Sequence, residues 1–156
     1  MNIALIVQSA AVVISVIGLI STIIWNRIVS RRKTTIDLLW AEQTDKTSLE
    51  MRAQYLALVK EGRLEELSER EKWFSPESFP LVSRMNRYEI AAIGISEGTI
   101  DSRIFKRYWR TALVRDWVRC KAAATKQRNE SDNPQLYVEW EKLAKSWANW
   151  NEAREL

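Results

Sequence analysis

The chain has 156 residues, enough for one domain, and carries 24 Lys and Arg against 20 Asp and Glu, a net charge of +4. It has no histidine, which excludes Ser-His-Asp and Cys-His catalysis within the chain and removes the commonest metal ligand. Its single cysteine, Cys120, excludes an internal disulfide, and every charged side chain lies at or beyond Arg27.

Residues 3–25 are 23 residues without a charge, and thirteen of them are Ile, Leu or Val. A helix of that length spans about 34 Å, against a bilayer hydrocarbon core of about 30 Å. Each central aliphatic side chain favours insertion by about 0.3–0.6 kcal/mol, which outweighs Gln8 and the hydroxyls of Ser9, Ser15, Ser21 and Thr22. A transmembrane helix is therefore expected. A cleaved leader would begin with a basic segment and have a shorter apolar core; here only Met1 and Asn2 precede the core, and Trp25-Asn26-Arg27 follows it.

No Lys or Arg precedes this span, and Arg27, Arg31, Arg32 and Lys33 follow it. The basic flank stays on the cytoplasmic side, so the N-terminus is expected outside and residues 27–156 inside. Trp25 falls at the interface, and with Arg27, Arg31, Arg32 and Lys33 it makes the expected membrane-surface anchor. Within the span Ala4, Gln8, Ala11, Ser15, Gly18 and Thr22 recur at spacings of four and three, with Asn26 in phase. Small side chains let helices approach closely, and Gln8 can hydrogen-bond across the contact, so this face is expected to pack on a second copy or another membrane helix.

Beyond the span helices are expected almost throughout. Residues 27–43 continue without Gly or Pro, residues 44–48 read as a break, and Ser48 reads as the N-cap of a helix carrying Met51, Tyr55, Leu58 and Val59. Gly62 ends it, Leu64 and Leu67 suit a short helix, and residues 75–80, with two prolines, read as a loop. Residues 81–97 resume an apolar pattern. Asp101 or Ser102 is the expected cap of a long helix to about Arg128. Residues 129–134 break the chain, and Ser131, Asp132 or Asn133 is expected to cap the last helix, with Pro134 at its first position. No run alternates convincingly as a strand. The fold expected is all-α: a transmembrane anchor at 1–26, a basic juxtamembrane helix and connector at 27–47, and a cytoplasmic helical domain at 48–156.

The last helix carries Trp140, Leu143, Trp147 and Trp150 at helical spacing, a stripe that reads as core rather than as a ligand pocket. Cys120 reads as a small buried hydrophobe and the acidic cluster at 61–71 as a solvated face. Glu89, in apolar company, suits a buried polar contact with Arg84, Arg87 or a Trp N–H. At 100° per residue Arg103, Lys106, Arg107, Arg110, Lys121 and Arg128 fall within about one-third of the helix circumference. That face suits an anionic partner: lipid or protein first, and nucleic acid as the less favoured alternative. No phosphate loop, dinucleotide fingerprint or zinc spacing occurs, so no cofactor is expected and binding is expected rather than catalysis.

Residues 82–119 read VSRMNRYEIAAIGISEGTIDSRIFKRYWRTALVRDWVR, and RRKTTIDLLW follows the span. The Asn86 to Glu89 step, the run Ile90-Ala91-Ala92-Ile93-Gly94-Ile95 and the basic aromatic helix after Asp101 resemble a family of small bacterial and prophage proteins that carry a domain of unknown function. The resemblance covers most of residues 30–150 and implies a membrane anchor, a helical domain and a place at the bacterial inner membrane. It brings no catalytic residues, and its prophage association implies a role such as superinfection exclusion or defence.

Overall fold

The structure, a computed structural model, describes residues 3–149 and 151–154, so the expectation placed on Trp150 lies outside the described residues. The fold is all-α, with no strand among the described residues. Helix α1 (Ile3–Thr44) is a single element of 42 residues. At 1.5 Å per residue it runs about 63 Å, roughly twice the hydrocarbon thickness of a bilayer. Its first half is apolar and exposed at every described side chain; its second half buries Thr35, Leu39 and Glu42 against the rest of the chain. Part of the expected connector at 27–47 is thus packed into the bundle.

Only Asp45 separates α1 from α2 (Lys46–Glu61). Asp45, not Ser48, is the N-cap: its carboxylate accepts the N–H of Ser48 at 2.7 Å, and its backbone is extended. Gly62 ends α2 in the left-handed region at φ 70°, where a side chain would be strained. The short α3 (Leu64–Leu67) follows. The expected loop at 75–80 contains a 3₁₀ turn (Pro76–Ser78) running straight into α4 (Phe79–Ser96), whose first turn tolerates Pro80 because no intrahelical N–H is needed there. At the end of α4 the carbonyl of Gly94 accepts the N–H groups of Thr99 and Ile100. A Cβ on Gly94 would lie 2.6 Å from Ile100 Cδ1, so a side chain there would push the Ile100 side chain aside.

Asp101 caps α5 (Ser102–Glu130), as expected. The last helix, α6 (Val138–Trp147), begins later than Pro134, after Tyr137 at φ 60°. The reason is non-local: Glu89 of α4 accepts the N–H of Trp140 at 2.8 Å and of Glu139 at 3.3 Å. The helix starts where another helix supplies its acceptor.

Contacts fix the directions. Arg87 of α4 reaches Glu42 and Ser48, and Arg84 lies over the Tyr55 ring, so α4 runs opposite to α1 and α2. Thr35 meets Asp101, while Leu39, Phe105 and Trp109 line one small space, so α5 runs parallel to α1. Trp140 bonds to the Leu113 carbonyl and Arg110 to that of Trp147, so α6 runs back along α5.

The core is aromatic. Trp140, Tyr55, Tyr88, Leu81, Met85 and Leu113 are fully buried, and Trp147 is buried beside them. Cys120 is buried as expected; desolvation pushes its thiol up to about 12, so it stays protonated at neutral pH. One ion pair crosses this core. Arg84 donates from Nε and Nη2 to Asp116 Oδ2, both at 3.0 Å, and its guanidinium lies 4.6 Å from the Tyr88 and Trp109 ring centres.

Candidate membrane-proximal interface

The register between α1 and α5 decides which charges meet. Thr35 donates its hydroxyl to the Arg31 carbonyl one turn back, at 2.8 Å, and its Oγ1 accepts the N–H of Asp101 at 2.7 Å. The Asp101 carboxylate then faces two ways. Oδ1 accepts the N–H groups of Arg103 and Ile104 at 3.0 and 3.3 Å, capping α5. Oδ2 lies 3.4 Å from Arg31 Nη2 and 3.7 Å from Arg32 Nε. Burial pushes this carboxyl upward, but the N–H groups of Ile104 and Arg103 and the charges of Arg31 and Arg32 outweigh it and hold it below the ordinary aspartate value.

This junction joins the apolar helix to the bundle through its own backbone and through charge. It also places the first turns of α5 at the end of the bundle nearest the span. Arg103, Lys106 and Arg107 are exposed there, next to the cations of residues 27–33. Lys106 also lies 5.6 Å from the Trp147 ring centre.

The other three cations expected on this face are placed differently. Arg110 donates from Nε to the Trp147 carbonyl at 2.9 Å and pairs with Glu152 at 2.6 Å. Arg128 donates to the Leu136 carbonyl and pairs with Glu141, both at 2.7 Å. Lys121 borders an open groove with Glu65 and Lys126, about 21 Å further along α5 than Arg107. The six therefore do not form one face. Three lie at the same end as the cations of residues 27–33, two tie α6 and the C-terminal segment to α5, and one is remote.

The bundle interior offers little room for a ligand. The space between α1, α4 and α5, lined by Leu39, Tyr88 and Trp109 among others, is about 20 Å³, enough for one water. Among the described residues no group of three potential metal-ligating side chains comes together.

The span places Gln8, Ala11, Ser15, Gly18 and Thr22 on exposed surface; the side chain of Ala4 lies outside the described residues. Ser15 and Thr22 return their hydroxyls to carbonyls four residues back, at 2.8 and 2.9 Å, which satisfies them within the helix. At 100° per residue the same face continues past the span through Val29, Ile36 and Trp40, all exposed and opposite the buried Thr35 and Glu42. Sequence reasoning missed Thr35, Arg31 and Asp101 as a joint. A hydroxyl and two arginines beside a helix cap some seventy residues away leave no local pattern.

Val7–Thr44 contains a stretch long and apolar enough to cross a bilayer, and none of that stretch is buried in the protein. The model of a family described as Domain of unknown function (DUF4760) matches residues 5–147. No curated protein and no solved structure matches the chain.

Proposed function

This chain belongs to the DUF4760 family, and we propose that it is a single-pass inner-membrane protein whose helical domain is held against the cytoplasmic surface and acts by binding, not by catalysis. One observation carries this reading. The apolar half of α1 is exposed at every described side chain, and the same uninterrupted helix then enters the bundle and supplies buried Thr35 and Leu39. Among the described residues eleven exposed aliphatic side chains there are costly in water and comfortable in lipid. A leader destined for removal would have no reason to continue into the core.

The reading includes a direction. The cations at 27–33 and Arg103, Lys106 and Arg107 lie beyond the apolar half, so that side is the cytoplasmic one. It also includes pairing of copies through the outward face of α1, because insertion in one direction brings equivalent residues of two copies to equal depth. A protein anchored in this way suits superinfection exclusion, in which an inner-membrane component is blocked. Plaque formation and phage genome delivery in expressing cells test that role, and unchanged delivery across a broad phage panel removes it.

The anchor is tested on the full chain. It should stay in the membrane pellet after alkaline carbonate, and a C-terminal tag should resist protease added to spheroplasts until the membrane is opened. Release by carbonate, or digestion of the tag in intact spheroplasts, overturns the proposal.

A further inference from the structure

We infer that the span-facing end of the domain is a binding surface for anionic phospholipid headgroups, built jointly by the four cations of residues 27–33 and by Arg103, Lys106 and Arg107. The inference rests on the anchored reading and names the partner that this end would meet.

Charge distribution is the first support. Within the stretches 27–37 and 97–107 these seven cations face three acids: Asp37, held by Lys33 at 2.6 Å, Asp101, occupied at the junction, and Glu97. The chain has 24 cations and 20 acids, so removing seven and three leaves seventeen of each. The stretches 27–37 and 97–107 thus carry a net charge of +4, with Glu152 one turn further on at Arg110. A merely solvated surface needs no such segregation.

Geometry is the second support. Asp101 is level with Thr35, ten residues past Trp25, or about 15 Å along α1. Headgroups occupy about 5–8 Å of that distance. In a helix each Cα–Cβ bond tilts toward the N-terminus. Because α1 and α5 both run away from the span, the side chains of Arg103, Lys106 and Arg107 lean back toward it. A long cationic side chain reaches about 6 Å, which leaves Arg103 within a Debye length of about 8 Å of the headgroups and Lys106 and Arg107 at about one to one and a half Debye lengths. Lys121 lies about 27 Å beyond Arg103 along α5, several Debye lengths away, and cannot share the surface.

The test uses the full chain reconstituted in phosphatidylcholine vesicles containing a trace of fluorescent phosphatidylglycerol or of equally labelled phosphatidylcholine. Energy transfer from tryptophan to the label reports which lipid gathers around the protein. Transfer to phosphatidylglycerol should be the stronger, and salt should reduce the excess. Arg103→Glu with Arg107→Glu should lower that excess roughly threefold or more. Lys60→Glu with Lys126→Glu, the same charge change at the far end, should leave it within about twofold. If the first pair fails to fold by near-ultraviolet circular dichroism, Arg103→Gln with Arg107→Gln should move the excess in the same direction by less. No preference for phosphatidylglycerol, or equal losses in the near and far pairs, overturns the inference while the anchor stands. A chain that carbonate strips from the vesicles overturns the anchored reading as well.

Discussion

Two arginine–aspartate contacts hold helices together in this protein, and they sit in opposite surroundings. Arg84 and Asp116 meet in the core, where their side chains are 7% and 1% exposed. Arg84 meets Asp116 Oδ2, Tyr88 adds its hydroxyl at 2.9 Å and aromatic rings enclose the guanidinium, while Arg119 and Arg115 lie 3.3 and 3.8 Å from Oδ1. At the junction one buried aspartate faces two arginines whose side chains are 39% and 58% exposed, and more cations stand beyond them. The core guanidinium is enclosed and meets a carboxylate as buried as itself. The junction arginines keep much of their surface in solvent. The core contact is therefore a desolvated one and the junction a solvent-screened one.

The comparison breaks most visibly if the two contacts respond alike to truncation. Asp116→Ala leaves Arg84 charged and unpaired in a dry site, and a loss of about 3–5 kcal/mol is expected, nearly insensitive to salt. Urea titration of the full chain in detergent micelles, followed by tryptophan fluorescence, measures it. A loss below about 1 kcal/mol would mean that the pair is not buried as described. Asp101→Ala removes the α5 cap and the partner of two exposed arginines, for an expected loss of about 1–2 kcal/mol. Here the arginines stay solvated and the cost should shrink as salt rises. The pH dependence has a defined sign as well. Asp101 is held below the ordinary aspartate value, so its contribution is present above pH about 4 and is lost as pH falls through its lowered value. The Asp101→Ala difference should therefore fade in acid.

How much of this was legible in the sequence depends on how far apart the partners lie. The cap at Asp101, the stop at Gly62, the burial of Cys120 and the uninterrupted run after Trp25 all rest on neighbouring residues, and the sequence expectations there match the structure. The N-cap at Asp45 is also local, but Ser48 competes for the role on composition alone. Only the extended backbone of Asp45, with its carboxylate on the Ser48 N–H, decides between them. The start of α6 and the employment of Arg110 and Arg128 are different in kind. Their partners are Glu89 and the carbonyls of Trp147 and Leu136, which the chain brings near only by folding. A helical wheel can group six cations on a face; it cannot show which of them the protein already uses for itself.

Glu89 sharpens the comparison with the smallest expected effect, because it is a second capping carboxylate, half-buried, with no ion pair to an arginine among the described residues. Burial pushes its carboxyl above the ordinary value; the N–H groups of Trp140 and Glu139 pull it down, as does the charge of Arg128, while Glu139 pushes it up, and burial prevails. The sign is therefore opposite to that of Asp101. A raised carboxyl contributes stability that is fully present below the unfolded value, about pH 4.3, and is lost as pH rises through the folded value. Glu89→Gln keeps one acceptor for Trp140, removes the charge and forfeits the bond to Glu139, so at neutral pH its net effect should be within about 1 kcal/mol. The informative readout is the difference between the two proteins in urea titrations from about pH 4 to 7. Relative to the variant, the native chain should lose ground as pH rises, and a difference constant with pH would show that Glu89 caps α6 without its charge being penalised. With the Asp101 result, the two slopes separate a carboxylate stabilised by the basic end of the protein from one held only by the backbone of a neighbouring helix.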